Sequence, residues 1–431
     1  METRCDKFPN CADFSDEENC NTVVLDDTYI QDFAPLERLN ETVYKRTEIF
    51  VTVNIVSILD ISENNEVLEA KFVLTLKWKD FRIIFHNLKE KTSMNTLTKT
   101  ERSSIWVPKL VLINTKDNQV SQSDDSVFKE VEKHENATIN SFEKNENIHL
   151  FQGRRNNFVM KRTYSVKWVC SFNMMWYPFD TQSCTMEFRP EGNLDANIKL
   201  VVESLVYQGP TDLTQYFIKT RNMIFRETDE SVVVVVTLGR RLIGVILTVY
   251  LPTNVMVIMS QATNYFKPFF FEAVITVNLT IILVICTMFL AISQSLPTTS
   301  YMKMIDLWFI LVLLVPFIFV LIHTYIDMLR NYEHRKDKKD DEKNAEKIER
   351  KASILSVTPV NTVEPKLNAD FVSINEETQN NALKKHYEEM EANGKDIKVE
   401  RMVKLTKVYI PIIIYLFMVF YWMVGMAKYY Q

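Results

Sequence analysis

Hydroxyl groups recur at a regular spacing inside one long apolar stretch, residues 269–306. Thr276, Thr280 and Thr287 follow one another at steps of four and seven, which places them on one face of a helix. A helix that faces only lipid has no use for such a face, whereas helices grouped around a water-filled axis present polar groups to passing ions. The spacing therefore predicts a helix that lines an ion pore. Its predicted pore-facing residues are Glu272, Thr276, Thr280, Leu283, Thr287 and Leu290.

The composition of the 431-residue chain changes sharply along its length. The formal net charge is only -5, which argues against nucleic acid as a partner. A polar part ends near residue 240, and four apolar segments long enough to cross a bilayer follow. Buried core helices are the alternative interpretation, but four such segments favour membrane helices with lipids as their neighbours. The segments are Leu242–Ser260, Phe269–Leu290, Leu307–Asp327 and Val408–Ala427.

Basic residues indicate which side of the membrane each part faces. Arg330 and Arg335 follow the third apolar segment and Arg401 precedes the fourth, so the loop between these segments is predicted to be cytoplasmic. Four spans then put both the N-terminal part and the C-terminus outside, as expected of a multi-pass plasma-membrane protein. Two predicted glycosylation sites, at Asn40 and Asn136, agree. This topology needs a signal peptide and none is visible, so we expect the sequence to be processed or truncated.

Short runs of β-branched and aromatic residues, separated by polar turns, fill residues 41–240. Runs such as Val67–Trp78 predict an antiparallel β-sandwich, so the expected fold class is α+β, with a β-sandwich followed by a four-helix transmembrane bundle. The acidic and polar stretch 118–147 is predicted to be an exposed insertion. Cys170 and Cys184 enclose thirteen residues, and cysteines in an outside-facing domain are expected to pair.

Five parts follow from these patterns. They are a Cys-rich acidic extension in 1–40, the β-sandwich in 41–240, three transmembrane helices in 241–326, a cytoplasmic loop of charged helices and a flexible link in 327–405, and the last transmembrane helix with the C-terminus in 406–431. The sequence contains no phosphate-binding loop, nucleophile elbow or metal-binding set of histidines, so an enzyme is not predicted.

The sequence CSFNMMWYPFDTQSC, from Cys170 to Cys184, resembles the signature of the Cys-loop receptors, the pentameric ligand-gated ion channels. The resemblance covers about residues 41–330 and the last span, and it implies a homo-pentamer or hetero-pentamer that conducts inorganic ions when a small-molecule agonist binds. Further landmarks follow in the family's order. They are VTVNI at 51–55, WKD at 78–80, WVP at 106–108 and LPTTSYMKMID at 296–306.

The same resemblance implies an agonist site between neighbouring subunits. The family's aromatic positions fall here on Ile113, Glu191, Val73 and the hairpin around Phe225. The aromatic cage that binds amines by cation–π attraction is therefore largely absent. We expect an atypical or unknown agonist, with Glu191 either facing a cation or simply solvated.

Coupling between the two domains is also implied by the resemblance. Asp180, Arg240 and Pro297 would lie where the β-sandwich meets the membrane helices, and Asp180 and Arg240 would form an ion pair. Leu283 would form the hydrophobic gate that closes the pore by excluding water. Asn278 lies off the pore face and is expected to make a hydrogen bond between helices.

Charge selectivity is expected to depend on the cytoplasmic mouth of the pore. Glu272 stands close to a glutamate of the cation-selective branch, and the Pro-Ala-Arg sequence of the anion-selective branch is absent. We therefore expect cation selectivity. The segment 296–306 looks more like the anion-selective branch, so an anion channel is one alternative. A non-conducting surface receptor or assembly subunit is another, because the aromatic cage is missing.

The extension CDKFPNCADFSDEENC resembles the second half of a low-density-lipoprotein-receptor class A module. That likeness implies a disulfide between Cys5 and Cys20 and a bound calcium ion, although the channel itself requires no cofactor. The first half of the module is missing, so an acidic, disulfide-linked tail without calcium is the alternative. The candidate calcium ligands are Asp6, Asn10, Asp16 and Glu17.

Overall fold

The computed structural model describes residues 10–16, 20–38, 44–122, 128–135, 139–143, 146–191, 197–267, 270–355 and 397–430. The chain divides into two compact units. The β unit comprises Met1–Asn173 and Thr181–Arg241, and the helical unit comprises Met174–Asp180 and Leu242–Gln431. Several predicted features lie outside the described residues. They are the flexible link of the cytoplasmic loop and the sites at Asn40, Asn136, Asp6, Glu17 and Cys5.

Sixteen strands are described in the β unit, together with the short helix α1, Lys99–Ser104. The strands are β1 Val23–Leu25, β2 Glu37–Arg38, β3 Tyr44–Lys45, β4 Thr47–Ser62, β5 Val67–Trp78, β6 Ile83–His86, β7 Leu110–Leu112, β8 Thr115–Gln122, β9 Phe128–Glu132, β10 Ile139–Glu143, β11 Glu146–Gln152, β12 Asn157–Val169, β13 Thr181–Pro190, β14 Ile198–Tyr207, β15 Tyr216–Arg226 and β16 Ser231–Arg240.

Two of the sheets form the sandwich that the sequence predicts. One has the order β14-β4-β5-β12-β8, with β9 also paired to β12, and the other has the order β15-β16-β13-β7. The smaller sheets have the orders β1-β6-β11-β10 and β2-β3. The strand β14 runs parallel to β4, whereas the other described pairs are antiparallel. Alternating burial along β5 shows that one side of this strand faces the core.

Aromatic rings from the two sheets meet in the core of the β unit. Phe72 on β5 and Trp168 on β12 lie 5.7 Å and 5.6 Å from the ring of Phe188 on β13. All three side chains are fully buried. Edge-to-face contacts at these distances stabilise a core beyond the burial of apolar area, so these rings join the two sheets.

The described residues of 118–147 form strands, and the prediction of an exposed insertion is wrong for Lys129, Glu130 and Val131, which are buried. β8 and β9 pair with β12, β10 pairs with β11, and β11 continues the sheet through β6. Backbone pairing supplies the hydrogen bonds here, and it does not require the apolar alternation by which sequence patterns identify a strand.

The helical unit contains four helices long and apolar enough to cross a membrane, namely Leu242–Tyr265, Phe271–Ser295, Met304–Tyr332 and Arg401–Tyr430. Its elements are α2 Leu242–Val245, a π-helical turn Ile246–Tyr250, α3 Leu251–Ala262, α4 Phe271–Ser295, α5 Met304–Leu355, α6 Ile397–Lys404, a second π-helical turn Leu405–Tyr409 and α7 Ile410–Tyr430. Tyr250, Trp308 and Tyr421 bring the first, third and fourth spans together, with Trp308 lying 4.9 Å from Tyr250 and 5.1 Å from Tyr421.

The helix of the third span continues beyond the apolar segment that the sequence predicts to cross the membrane. Helix α5 continues from Met304 to Leu355, so the span and the charged segment after it form one helix. No proline or glycine occurs between Phe317 and Leu355, and these are the residues that most strongly interrupt a helix. The change from apolar to charged residues therefore marks a change in the surroundings of the helix, while the helical backbone continues.

Candidate functional site

One face of α4 is exposed along its whole length. Its six side chains are all exposed in the subunit, and the residues are the predicted Glu272, Thr276, Thr280, Leu283, Thr287 and Leu290. Leu283, the predicted gate residue, is 64% exposed in the subunit. We call these six residues the pore face.

The opposite face of α4 packs against the rest of the helical unit. Val274, Asn278, Ile281 and Ile285 are buried there. Asn278 accepts a hydrogen bond from Ser260 Oγ at 2.6 Å and donates one to Thr263 Oγ1 at 3.1 Å. The expected hydrogen bond between helices is thus present. It fixes the rotation of α4 against the first span, and this rotation keeps the pore face free.

The threonines of the pore face donate their hydroxyl hydrogens to the helix itself. Thr276 Oγ1 donates to the Glu272 carbonyl at 2.8 Å, and Thr287 Oγ1 donates to the Val284 carbonyl at 2.7 Å. Thr280 Oγ1 does the same with Val277. Each threonine therefore turns oxygen lone pairs and a methyl group toward the exposed side. Glu272 is the only charged residue of α4.

The link between α4 and α5 is held by buried polar contacts. The Lys303 ammonium donates to the Pro297 carbonyl at 3.1 Å, and the Lys303 amide donates to Asp306 Oδ2 at 2.9 Å. Lys303 is only 6% exposed. The predicted residue Pro297 thus follows the last turn of α4 in a fixed link.

The loop between Cys170 and Cys184 contributes to both units. The expected disulfide is present, with 5.1 Å between the two Cα atoms. In the β unit, Asn173 and Gln182 exchange two hydrogen bonds at the base of the loop. In the helical unit, the Met304 amide donates to the Met175 carbonyl at 2.9 Å. The loop tip is therefore attached to the beginning of α5.

Aromatic packing also attaches the tip of this loop to the last span. The ring of Phe179 lies edge-on to Trp422 at 5.5 Å and is fully buried. Gly425 on α7 has no side chain at this point, and a Cβ there would lie 2.5 Å from Phe179 Cε2. The absence of a side chain at Gly425 therefore leaves room for the ring of Phe179.

Arg240, at the end of β16, forms a buried cluster within the β unit. Its guanidinium donates to Glu63 Oε1 at 2.7 Å and to Tyr216 Oη at 2.6 Å. Tyr216 in turn donates to Glu63 Oε1 at 2.5 Å. The sequence analysis did not identify Glu63 as the partner of Arg240. The pair of Asp180 with Arg240 stays a prediction, and Asp180 itself is buried in the helical unit.

The predicted agonist residues lie on two different sheets of the β unit. Ile113 is 41% exposed, Glu191 is exposed, and the half-buried Phe225 lies on β15 beside β16. Val73 lies on β5, in the other sheet. Val73 and Phe225 thus lie on different sheets, and an agonist site shared by two neighbouring subunits stays a prediction.

An ion network that the sequence did not predict lies close to Ile113. Glu187, whose carbonyl accepts from the Ile113 amide at 3.1 Å, carries a carboxylate that contacts both Arg189 at 3.2 Å and Arg226 at 3.1 Å. Arg226 also contacts Asp229 at 3.6 Å. Glu187 and Arg189 stand two residues apart on β13 and so share one side of the strand, and this spacing was the available signal. This network ties the β15–β16 hairpin to β13 where the family places its aromatic cage.

Charges also line the exposed side of β5 near Val73. Lys77 donates to Glu203 Oε1 at 2.9 Å and lies 3.6 Å from Glu132. Burial disfavours the Lys77 charge, but the hydrogen bond to Glu203 and the two carboxylates raise its pKa above the ordinary value. Lys77 is thus firmly charged on this face.

The candidate calcium ligands are described only in part. Asp16 Oδ2 accepts from the backbone N–H of Asn10 at 2.6 Å, and Asp16 Oδ1 is buried without a hydrogen-bond partner among the described residues. A buried carboxylate oxygen without a donor fits a calcium ligand. In the described part of the chain, no group of three His, Cys, Asp or Glu side chains could hold a metal ion. Cys20 is disulfide-bonded, and Cys11 is a free thiol.

Comparison with known proteins agrees with the two-part architecture. The family model described as the neurotransmitter-gated ion-channel ligand binding domain matches residues 22–233, and that of the neurotransmitter-gated ion-channel transmembrane region matches residues 249–408. The chain belongs to this family. Its members are ligand-gated channels of the plasma membrane and not enzymes, and they assemble as homo- or hetero-pentamers. The Cys-loop resemblance is thereby confirmed, whereas the likeness of the extension to the class A module stays a prediction.

Several curated proteins are similar to the chain at low identity. The gamma-aminobutyric acid receptor subunit rho-3 of Homo sapiens is 24% identical over 297 residues, which are 66% of this chain and 59% of the relative. The serotonin-gated chloride channel mod-1 of Caenorhabditis elegans is 24% identical over 270 residues, 60% and 51% of the two chains. The glycine receptor subunit beta of Rattus norvegicus is 23% identical over 299 residues, 67% and 56%. The chain thus spans little more than half the length of these relatives.

Proposed function

We propose that this protein is a pore-forming subunit of a ligand-gated anion channel. The observation that carries the pore is the exposed face of α4. Five copies of this face around one axis would form a ring of Leu283 side chains, and a ring of apolar residues closes a narrow pore by dewetting. The threonine rings on either side would keep the rest of the pore wetted.

Anion conduction is supported by the relatives. One of them, 24% identical over 270 residues, is named a serotonin-gated chloride channel. The link at residues 296–306 also looks more like the anion-selective branch than the cation-selective one. Both observations oppose our expectation of cation selectivity from Glu272 alone.

Cation conduction is the second candidate, because of Glu272. This exposed carboxylate stands in the first turn of α4, and the threonines of the pore face turn oxygen lone pairs outward. A ring of five carboxylates would concentrate cations at the mouth of the pore. Lys267, four residues before α4 begins, is also exposed and would oppose that field.

The agonist is proposed to be a small molecule with an ammonium group. The relatives are named for gamma-aminobutyric acid, serotonin and glycine, which share such a group. Glu191 is the exposed carboxylate at the predicted site, and the two arginines already neutralise Glu187. Glu191 is thus our candidate partner for the ammonium group. Loss of the response to such an agonist in Glu191→Gln would test this assignment.

The decisive experiment expresses Leu283→Thr in voltage-clamped cells. A polar ring at the gate should stay wetted and carry current without agonist. The matched control is Val284→Thr, which places the same side chain one residue along and about 100° around the helix. Leak in the first variant and none in the second supports the pore, whereas no leak from Leu283→Thr at the cell surface would favour a non-conducting subunit.

The reversal potential of that leak then identifies the permeant ion. A shift when chloride is replaced, and none when sodium is replaced, supports anion conduction. The opposite result would establish the second candidate. Glu272→Gln measured in the same background should change the shift only if this carboxylate faces the ion path.

A further inference from the structure

Two cations lie side by side on one face of the sheet that contains β9 and β12. Lys129 on β9 stands directly opposite Met160 on β12, and Arg162 follows two residues further along β12. Diagonal neighbours of this kind have Cα atoms roughly 7–8 Å apart, which is within reach of long side chains. The same side of β12 carries the buried rings of Phe158 and Trp168, so both cations face the core. We call Lys129 and Arg162 the β9–β12 site.

The charge of Lys129 is buried without a carboxylate beside it. Lys129 is only 8% exposed, and its ammonium donates to the backbone carbonyl of Arg102 at 3.0 Å, which is a neutral acceptor. Glu130, the next residue along β9, points to the opposite face of the sheet and pairs there with Lys161 at 3.2 Å. Burial, and after it the charges of Arg162 and Arg102, lower the pKa of Lys129 to about 8. The surroundings of Lys129 are thus positive.

Arg162 contributes a buried hydrogen-bond donor that has no acceptor. Its Nε is shielded from solvent, and it bonds to no group in the part of the chain that the structure describes. A buried donor left unpaired destabilises the folded state, and the penalty is larger when the group is charged. The Lys129 ammonium carries three hydrogens, of which the Arg102 carbonyl takes one. An acceptor with a negative charge would satisfy donors of both side chains at once.

We propose that the β9–β12 site binds a small inorganic anion from the external solution, with chloride as its natural occupant. The anion would accept from Arg162 Nε and from the Lys129 ammonium, and its charge would offset theirs. Met160, between the two cations, is only 3% exposed, so a single-atom anion suits the packing better than a larger one. The site belongs to the β unit, and its occupancy does not depend on which ion the pore conducts.

A bound anion would also stabilise the neighbouring segments of the β unit. The ammonium of Lys129 connects β9 to the last turn of α1 through the Arg102 carbonyl. Repulsion between Lys129 and Arg162 works against this connection, and an anion between them would remove it. We therefore expect external chloride to stabilise the folded β unit.

The test compares thermal unfolding of the purified full-length protein in sodium chloride and in sodium gluconate at equal sodium concentration. Chloride should raise the midpoint by several degrees, because a ligand that binds only the folded state stabilises it, whereas gluconate is too large for the site. Arg162→Met removes the unpaired donor and should lose most of this rise. Lys161→Met is the matched control, since it removes the adjacent cation, which is 46% exposed on the other face, and should keep the rise.

Arg162→Glu covers the case in which Arg162→Met does not fold. Its carboxylate would take the place of the anion beside Lys129, so its midpoint should be the same in both salts and above that of the wild type in gluconate. Chloride bound in the pore would stabilise every variant alike, so the site is supported only by a difference between the Arg162 and Lys161 variants. A wild type with equal midpoints in the two salts, a rise that persists in the Arg162 variants, or an equal loss in Lys161→Met would overturn it.

Discussion

The backbone amide of Met174 donates a hydrogen bond to the hydroxyl of Tyr301 over 2.9 Å. This bond joins the tip of the disulfide-closed loop to the link that follows the pore helix. Both residues belong to the helical unit, so the tip and the link are parts of one compact body. We therefore expect a displacement of the tip to be carried to the end of α4.

The first prediction concerns this bond. Tyr301→Phe removes the acceptor and keeps the ring, and we expect a loss of about 0.5–1.5 kcal/mol in stability. The measurement is the unfolding midpoint of the full-length protein. Tyr325→Phe is the control, because Tyr325 is 45% exposed and its hydroxyl should matter little. Equal midpoints for the two variants would contradict the role assigned to Tyr301.

The second prediction concerns the space beside Phe179. Gly425→Ala places a methyl group 2.5 Å from the ring, and overpacking of this kind costs about 1–3 kcal/mol. Gly244→Ala is the control, since a Cβ there meets nothing within 4 Å. Adding Phe179→Leu to Gly425→Ala should recover part of the lost stability. A harmless Gly425→Ala would mean that α7 does not pack against the loop tip.

The third prediction concerns the buried charge of Arg240, which is only 4% exposed. Glu63→Gln removes the carboxylate that faces this guanidinium, and breaking a buried pair in this way costs about 3–5 kcal/mol. Delivery to the cell surface should fall accordingly. Glu203→Gln breaks the half-exposed pair with Lys77 and should have a much smaller effect. Surface expression equal to wild type in Glu63→Gln would refute the cluster's importance.

The fourth prediction concerns pH. Burial first, and then the charges of Arg162 and Arg102, lower the pKa of Lys129 from 10.5 to about 8. Between these two values the unfolded chain holds a proton that the folded protein lacks, so stability contributed by this site rises with pH. Below about pH 8 both states are protonated and the burial penalty is constant.

Lys129→Met should therefore be more stable than wild type at neutral pH, and its advantage should shrink as the pH rises toward 10.5. Unfolding midpoints across this range measure the difference. Lys161→Met, at a lysine whose side chain is 46% exposed, serves as the control. An advantage that does not change with pH would show that Lys129 keeps its proton throughout.

The fifth prediction concerns calcium in the N-terminal extension, which we propose from the unpaired buried oxygen of Asp16. Calcium titration of the full-length protein should release heat that Asp16→Asn abolishes. Asp13→Asn should not abolish it, because the exposed Asp13 carboxylate already accepts hydrogen bonds from the backbone N–H and the hydroxyl of Ser15. If calcium binds equally to both variants, the extension is only a disulfide-linked acidic tail.

Sequence patterns predicted the strands and helices in which apolar and polar residues recur at a regular spacing. Strand β5 has the predicted bounds Val67–Trp78 because its burial alternates, and the pore face was found because the polar groups of α4 recur at helical spacing within apolar sequence. The local pattern of apolar and polar residues is sufficient to predict a strand or a helix when one of its sides faces the core and the other does not.

Pairings between distant residues were not predictable in the same way. Glu63 and Arg240 are 177 residues apart, and nothing in either local sequence specifies which carboxylate a buried arginine meets. The described strands within 118–147 are joined to their neighbours by backbone pairing, which the polar sequence of this stretch does not reveal. The permeant ion could not be predicted for a related reason, since one carboxylate does not determine a field to which a whole ring of neighbours contributes.

The unbroken helix α5 has a mechanical consequence. Residues 333–355 extend it past the third span by roughly 35 Å at about 1.5 Å per residue. A tilt of about 10° at the membrane surface would therefore sweep the far end of such a rod through roughly 6 Å. A small reorientation of the third span would therefore appear as a larger displacement at the end of α5 near Leu355. A fluorescent or spin label placed there would report those reorientations from outside the membrane.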